Sequence, residues 1–389
     1  MERICPEESC TGCAVCATVC PKQCITMQTD PYGFIRPVIS QSDCVDCRLC
    51  EKTCPNNALA AKLEHIACHA GWSLDATDRQ TSTSGGVASV LAQTVLKRGG
   101  VVYGAVSHGI QVVHERIDRL EDAHRLKGSK YVQSQLRTNV LSSLCQDSKD
   151  GRLVLFTGTP CQVAGVKNLV ERKGNVRNVL FCDIICHGVP SQKMLAEHVH
   201  ELLPNEKIDH VRFRDEEGYF LTLTSPEGKQ LYRKGFPWDA YLNAFQYGLF
   251  FRPCCYQCLY ACPQRVSDLT VGDFWGLGQT TYPKKKVSVI LTNTIRGGQM
   301  LSDCKKSLFL DERPVVEAVR GNHNLHQASR KHKYYHVFHR LYPQFGYKVI
   351  HFCLIEFYVK HFAYRVLNKL KTLAYDVKRE TVQSNHKGK

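Results

Sequence analysis

The strongest constraint on this sequence is a four-cysteine pattern that occurs twice within residues 10–55. The first copy is Cys10-x2-Cys13-x2-Cys16-x3-Cys20-Pro21, and the second is Cys44-x2-Cys47-x2-Cys50-x3-Cys54-Pro55. A 4Fe-4S cluster needs four thiolates directed at one point, and in two-cluster proteins the fourth cysteine of each run binds the other cluster. We therefore predict one cluster bound by Cys10, Cys13, Cys16 and Cys54, and a second bound by Cys44, Cys47, Cys50 and Cys20. A zinc or disulfide scaffold is the alternative, but zinc sites usually take their ligands as two separated pairs.

Each fourth cysteine is expected to begin the helix that follows its loop. Three further cysteines, Cys5, Cys24 and Cys68, stand outside the repeated pattern. Free cysteines usually behave as small, buried apolar residues. We therefore expect these three to be ordinary core residues.

Length and cysteine usage together limit the class of protein. The chain has 389 residues, which predicts two or three domains. Most of its 21 cysteines stand at cluster-type spacings, which favours a reducing, cytoplasmic compartment. No apolar signal region follows Met1 and no run of 18 apolar residues occurs, so we predict no membrane span.

Three regions are expected along the chain. Residues 1–62 should form an α+β ferredoxin-like module with two 4Fe-4S halves, about 1–34 and 35–62. In residues 70–318, the predicted strands Leu153–Thr157 and Val179–Ile185 are each followed by a loop and a helix. This order predicts an α/β domain, with a mixed sheet, whose ligands bind at the carboxyl ends of its strands. Residues 319–389 should form a basic, largely helical tail.

Two short segments are candidates for phosphate binding. Ser84-Gly85-Gly86 precedes a helix predicted over Val87–Lys97, and free N–H groups at a helix N-terminus attract anions. Simple N-capping by Ser84, with close packing at the glycines, explains this segment equally well. Lys127-Gly128-Ser129-Lys130-Tyr131 could bind phosphate through its two lysines, although lysine-rich loops are often merely solvated.

A third group of cysteines comes from separate loops. Cys161 and Cys186 each follow a predicted strand, and Cys255-x2-Cys258 follows later in the chain. Four thiols in functional loop positions suggest a third 4Fe-4S cluster. Cys254 and Cys262 compete for this assignment, and unligated core thiols remain the alternative.

Several motifs together resemble a known family. They are Ser84-Gly85-Gly86, Gly128-Ser129-Lys130-Tyr131-Val132-Gln133-Ser134, Gly158-Thr159-Pro160-Cys161-Gln162, Cys186-His187-Gly188-Val189-Pro190, and Ser267 to Gly276 (SDLTVGDFWG). Their order and spacing over residues 1–310 resemble the coenzyme F-420 hydrogenase/dehydrogenase beta-subunit family, in the version with an N-terminal ferredoxin module. The basic tail is not covered by this resemblance.

The resemblance implies an FAD-containing iron–sulfur oxidoreductase. It implies FAD contacts at Ser84, Gly85, Gly86, Ser129, Lys130 and Tyr131, and it supports Cys161, Cys186, Cys255 and Cys258 as cluster ligands. Members differ in substrate: a deazaflavin coenzyme, a chlorophyll-type pigment, or unsettled chemistry beside surface-polysaccharide genes. Nothing in this sequence selects among these substrates.

Flavin suits such a chain because it joins one-electron carriers to a two-electron hydride step. The expected partners are an electron donor, such as ferredoxin or a redox subunit, and a small-molecule hydride acceptor or donor. His187 is the candidate proton donor, with a hydrogen bond to the third cluster as its alternative role. A non-catalytic adapter that passes electrons to a partner protein is the competing hypothesis, which the lack of a substrate pocket would favour.

The tail holds most of the net charge. Residues 320–389 contain 14 Lys and Arg against 3 acidic residues, which is +11 of the total +15. Because no binding motif accompanies this charge, we predict no nucleic-acid partner. Residues 349–373 combine apolar and basic side chains in the manner of an amphipathic helix at an anionic membrane surface. A helix that simply packs on the protein is the alternative.

Overall fold

A computed structural model describes residues 2–363 of the chain. The strands are β1 Ile25–Thr29, β2 Ile35–Ile39, β3 Ala67–Ser73, β4 Val101–His108, β5 Gln111–Ile117, β6 Val154–Gly158, β7 Val179–Ile184, β8 His210–Arg212, β9 Phe220–Thr224, β10 Gln230–Gly235, β11 Leu269–Asp273, β12 Ser288–Thr292 and β13 Leu308–Glu312. The α-helices are α1 Val15–Val19, α2 Leu49–Thr53, α3 Ala76–Thr81, α4 Val87–Lys97, α5 Thr138–Lys149, α6 Pro160–Lys173, α7 Gln192–Leu202, α8 Ala240–Gln246, α9 Ile295–Asp303, α10 Val315–Gly321 and α11 Tyr335–Phe345. The chain is also helical from 349 to 363.

The N-terminal module contains two short helices and one hairpin. Strands β1 and β2 pair antiparallel, with Ile25 opposite Ile39. Each cysteine run begins in a loop and continues into a helix of a single turn, α1 or α2. Cys20 and Cys54 stand at the C-terminal ends of these helices, so the prediction that they begin a helix is wrong. The x3 spacing is itself the helical turn, which carries the fourth cysteine away from its own loop.

The main sheet has eight strands in the order β13-β3-β12-β11-β7-β6-β4-β5. Its central strands β4, β6, β7 and β11 are parallel, and the remaining pairs are antiparallel. The sheet is therefore mixed, as expected. A separate antiparallel sheet has the order β10-β9-β8, which matches the predicted meander.

Alternating side chains of the central strands build two cores. Tyr103, Phe156 and Phe181 face a core that contains α5, α6 and the N-terminal module. Their neighbours, including Leu155 and Leu180, face a second core formed with α4 and α9. This period-two alternation is what a sheet covered on both faces requires. The dicluster module is thus packed against the α5–α6 side of the sheet.

The predicted helix at residues 238–247 differs from the observed one. We expected an amphipathic helix, but α8 is buried over most of its length, including Tyr241 and Phe245. Its aromatic side chains contact one another and Tyr131, so the helix lies inside the domain. Strands β3, β5 and β13 and helices α5 and α10 were not predicted.

The described chain divides into two compact units, residues 1–332 and 333–389. In the second unit, the Glu356 carboxylate pairs with Lys360, accepts a hydrogen bond from the Tyr334 hydroxyl at 2.9 Å, and contacts Lys333. The apolar residues Leu367 and Leu370 of the predicted amphipathic segment lie outside the described residues. Within residues 2–363, no helix is long and apolar enough to cross a membrane.

Candidate iron–sulfur and flavin sites

The eight repeated cysteines form two separate groups. Burial raises the pKa of the Cys16 thiol, and the neighbouring thiols of Cys13, Cys10 and Cys54 raise it further. Burial likewise raises the pKa of Cys50, to which Cys20 and Cys47 contribute. Cys54 therefore lies with the first run, and Cys20 lies with the second. This is the crossed grouping expected from the spacing, and ligation of a cluster by each group remains a prediction.

Both cysteine loops share an unusual backbone conformation. Gly12 and Asp46 stand at equivalent positions with φ of 67° and 50°, and Ala14 and Arg48 follow with φ of 60° and 57°. Non-glycine residues rarely adopt positive φ, and such strain concentrates at functional sites. Alternation of left- and right-handed residues also turns successive N–H groups inward, a conformation that recurs around Fe–S sites. The sequence repeat is thus a conformational repeat as well.

Arg252 links the first cysteine group to the main domain. This buried guanidinium donates hydrogen bonds to the carbonyl oxygens of Cys10 (2.7 Å) and Ile35 (2.6 Å), and its Nη2 lies 3.8 Å from Cys10 Sγ. Its Nη1 donates to Gln133 Oε1 at 2.8 Å, and Gln133 in turn donates to the Thr11 carbonyl. A buried cation requires such partners, and here they include a predicted ligand. Sequence reasoning missed Arg252, although its position two residues before a cysteine pair was visible.

The third cysteine group also assembles. Cys161 is the second residue of α6, Cys186 follows β7, and Cys258 ends a short helical turn. Burial raises the pKa of Cys161, and the neighbouring thiols of Cys254, Cys258 and Cys186 raise it further. Cys255 is likewise surrounded by Cys254, Cys186 and Cys161.

The two competing cysteines differ in position. The Cys262 thiol donates to the carbonyl of Gln264 at 3.2 Å, within its own loop. Cys254 stays beside Cys255, which lowers its pKa through a hydrogen bond between the thiols. Cys254 therefore remains a rival of Cys255 as ligand. Within residues 2–363, no three Cys, His, Asp or Glu side chains are close enough to bind a single metal ion, so the assignment rests on grouping and spacing.

A cavity of about 730 Å³ opens beside the third cysteine group. It lies at the carboxyl ends of β6, β7 and β11, where α/β sheets bind ligands. Its volume is within the usual range of ligand sites. Its lining includes the predicted residues Ser84, Gly86, Ser129, Lys130, Tyr131, His187, Cys161, Cys186 and Cys255. Gly85 and Cys258 are not part of this lining.

Lys130 is a cation without a carboxylate partner among the described residues. Its ammonium group donates only to the carbonyl oxygens of Leu126 (3.0 Å) and Lys127 (2.8 Å). Burial lowers the pKa of Lys130 to about 7. Lys127, by contrast, pairs with Asp78 at 2.5 Å. A buried charge is costly unless an opposite charge compensates it, so Lys130 is suited to an anionic ligand.

The Ser84–Gly86 segment lies close to the cavity but is partly committed to the protein. The Ser84 hydroxyl donates to the Val287 carbonyl at 3.2 Å, so Ser84 is not the N-cap that the alternative required. The N–H of Gly85 donates to Ser288 Oγ, and a Cβ on Gly85 would lie 2.4 Å from the Gly71 carbonyl oxygen. Gly86 is the N-cap of α4, with φ of 86°. Gly85 thus has a packing role, and Ser84 and Gly86 remain the cavity-lining candidates.

His187 has protein partners on both ring nitrogens. Its Nδ1 lies 3.0 Å from Asn324 Oδ1, and its Nε2 lies 3.4 Å from the Gln246 carbonyl. Burial lowers the pKa of His187, so the neutral ring is favoured. A ring held in this way is poorly placed to give a proton to a ligand. His114, a cavity residue that sequence reasoning missed, instead has a buried Nδ1 without a partner among the described residues.

The fold and the cysteine groups are those of an iron–sulfur electron-transfer protein. Residues 151–318 match the family model for the C terminus of the coenzyme F420 hydrogenase/dehydrogenase beta subunit, and residues 9–58 match a 4Fe-4S dicluster domain. The chain is therefore a coenzyme F420 hydrogenase beta-subunit-like protein with a 4Fe-4S dicluster domain. The resemblance noted in the sequence is confirmed.

One similar solved structure is a chain of the F420-reducing NiFe hydrogenase complex from Methanosarcina barkeri. The two chains are 18% identical, the match covers 67% of this chain and 86% of that chain, and the TM-score is 0.46. No curated protein matches this sequence.

Proposed function

We propose that this protein is an iron–sulfur flavoprotein oxidoreductase that connects single-electron transfer with hydride exchange at FAD. The observation that carries the proposal is one cavity shared by the third cysteine group and by Lys130, a cation that lacks a carboxylate partner among the described residues. An anionic dinucleotide beside a redox cluster satisfies both features. The organic substrate is a deazaflavin-like coenzyme or another metabolite, including one of surface-polysaccharide metabolism.

The residues of the cavity fit FAD in two further respects. Tyr131 stacks on Phe245 with ring centroids 4.6 Å apart, and Tyr219 and Trp275 continue this aromatic wall. Planar aromatic side chains favour stacking with a planar ring system. Lys130 would hold the diphosphate, with Ser84, Gly86 and Ser129 around it. When bound, FAD supplies an exchange of one or two electrons with its neighbours.

The positions of the three cysteine groups suggest an order of electron transfer. The second group reaches the surface, since Cys47 and the adjacent Val45 are exposed. The first group is enclosed, and a Cβ on Gly165 of α6 would lie 3.0 Å from Cys13 Sγ. Because α6 also carries Cys161, we place the first group between the second and the third. Electrons from a ferredoxin or a redox subunit would thus enter at the exposed group.

Tyr260 lies between the first and third groups. Its hydroxyl donates to the Pro55 carbonyl at 3.2 Å. Burial raises the pKa of Tyr260, as do the neighbouring thiols of Cys161, Cys13, Cys258 and Cys54. This contact with both groups supports the proposed route through the first group to the cavity.

Flavin binding by a Lys130→Met variant tests the proposal. We expect FAD affinity to fall roughly 10- to 100-fold, because a hydrogen bond to a charged group contributes about 1.5–3 kcal/mol. Anaerobic purification followed by flavin titration measures the change. Lys130→Arg keeps the charge and should retain most of the affinity. Lys149→Met, on the exposed end of α5, is the matched control.

The result also separates the two hypotheses of function. Full FAD occupancy in Lys130→Met, together with wild-type binding in both controls, would contradict the assigned anion site. A purified protein that holds iron and sulfide but never binds flavin would instead favour the electron-transfer adapter.

We further propose that the tail makes peripheral contact with an anionic membrane. On the helix at 349–363, Phe352, Ile355, Val359 and Phe362 are each 58–68% exposed. Their spacing of three and four residues places them along one face. Together with the net +11 of residues 320–389, an exposed apolar stripe is the composition of an interfacial helix.

A further inference from the structure

Each N-terminal cysteine group has a fifth thiol beside it. Cys24 Sγ lies 3.4 Å from Cys20 Sγ, and Cys24 is also next to Cys44. Cys5 is next to Cys10 and Cys54. The side-chain amide of Asn56 lies 3.9 Å from Cys5 Sγ and 3.8 Å from Cys54 Sγ. The expectation that Cys5 and Cys24 are ordinary core residues is therefore wrong, and only Cys68 lies in a purely apolar core.

The two extra thiols occupy equivalent places around the two groups. Each lies beside the first cysteine of a run and beside the fourth cysteine that comes from the other run. This equivalence does not come from the sequence repeat, because Ile39 and Ala58 stand at the repeat positions of Cys5 and Cys24. The thiols reach their places from different sides of their runs. Two unrelated positions in the chain thus converge on one arrangement.

The backbone holds Cys24 in this place. Gln23 has φ of 52°, and its N–H donates to the Cys20 carbonyl at 3.3 Å. Non-glycine residues with positive φ cost free energy, and they persist where the surrounding structure requires them. On the other side, the Ser40 N–H donates to the Cys24 carbonyl at 2.8 Å. The turn therefore returns the chain so that Cys24 faces Cys20.

We propose that Cys24 and Cys5 are reserve cluster ligands, which replace Cys20 and Cys54 when either of those ligands is lost. In the exchange, the iron–sulfur bond to the lost cysteine is replaced by a bond to the reserve sulfur. The reserve thiol releases its proton to solvent, and no electron is transferred. The exposed second group, nearest to external oxidants, has the greater need for such a ligand. This inference rests on the proposed cluster ligation.

Iron and sulfide analysis of anaerobically reconstituted variants tests the inference. Cys20→Ala should keep the iron content of the wild-type chain, with altered EPR signals of the reduced second cluster. Cys20→Ala/Cys24→Ala should lose about four iron atoms per chain, the content of one cubane. The matched control is Cys47→Ala, which removes a ligand on the exposed side and should lose the same amount.

Each outcome has a distinct meaning. If Cys20→Ala loses as much iron as the double variant, Cys24 is not a reserve ligand, while the cluster assignment holds. If Cys47→Ala and the double variant both keep full iron, the ligation itself is wrong. If Cys20→Ala does not fold, the comparison of Cys54→Ala with Cys5→Ala/Cys54→Ala at the first group decides, with Cys16→Ala as its control.

Discussion

At the scale of single residues, charge compensation decides which lysine can serve a ligand. Lys127 and Lys130 stand three positions apart in one loop, and sequence reasoning treated them alike. The structure gives Lys127 a carboxylate partner in Asp78, whereas Lys130 has only carbonyl oxygens. Asp78 also lies near the N-terminus of α4, where a Cβ on Gly86 would be 3.3 Å from its Oδ2. The anion site is therefore centred on Lys130 rather than on the helix terminus.

The lowered pKa of Lys130 predicts how FAD affinity depends on pH. In the free protein, Lys130 is charged below its pKa of about 7 and loses its charge as the pH rises. A bound diphosphate favours the charged form, so the pKa rises in the complex. Affinity should therefore be constant below about pH 6 and fall by up to about tenfold per unit above pH 7. Fluorescence titration of flavin from pH 5.5 to 9 measures this dependence.

Lys130→Arg provides the comparison, since its guanidinium stays charged over this range. Its affinity should be independent of pH between pH 6 and 9. An equally steep decline in both proteins would assign the dependence to another group.

At the scale of elements, the site forms where parallel strands end. Strands β6, β7 and β11 are neighbours and parallel, so the segments that follow them meet at one edge of the sheet. This arrangement places Cys161, Cys186 and Trp275 around one cavity, although they are far apart in sequence. Helix α6 then joins this cavity to the N-terminal module through Gly165.

The third cysteine group predicts a specific iron content. A fully reconstituted chain should contain about twelve iron atoms, since each cubane holds four. Cys161→Ser should reduce this to about eight, because α6 supplies one ligand from its first turn. Cys262→Ser, which alters the thiol bound to its own loop, should leave the content unchanged. A wild-type value that stays near eight, with identical spectra in Cys161→Ser, would contradict a third cluster.

Local patterns allowed much of this architecture to be predicted. Helix α4 has the predicted bounds Val87–Lys97, and the strand-loop-helix order around Cys161 and Cys186 is as expected. Cysteine spacing also predicted the grouping of Cys54 with the first run, because that spacing acts over a few residues. Arg252 could not be predicted, since its partner Cys10 lies 242 positions away. Strand β3 was missed because its residues Gly71 and Ser73 have low strand propensity, while its pairing with β12 and β13 stabilises it.

At the scale of the whole molecule, charge and exposed apolar surface are both features of the tail. Residues 1–319 carry only +4, against +11 in residues 320–389. Basic residues near an anionic membrane contribute on the order of 1 kcal/mol each, and salt screens this attraction. The proposed redox and membrane-contacting features thus belong to different parts of the chain.

Co-sedimentation with anionic liposomes tests the proposed membrane contact. Binding of the full chain should be strong at low salt and decrease as salt increases. A chain that ends at Tyr342 should not bind, and Phe352→Ser/Phe362→Ser should bind more weakly while keeping the charge. Equal recovery of all three proteins would leave a helix packed on the protein as the explanation.

The contacts of Arg252 have a consequence for how this protein matures. Because the guanidinium is buried and bonded to the Cys10 and Ile35 carbonyls, it closes the main domain over the first cysteine loop. Once it is closed, no iron donor can reach Cys13 or Cys16, which are both buried. We therefore expect the first cluster to be inserted while the chain is still open, before Arg252 takes its place. The dicluster region is then not an exchangeable cassette, and transplanted alone it would leave its innermost loop exposed to solvent.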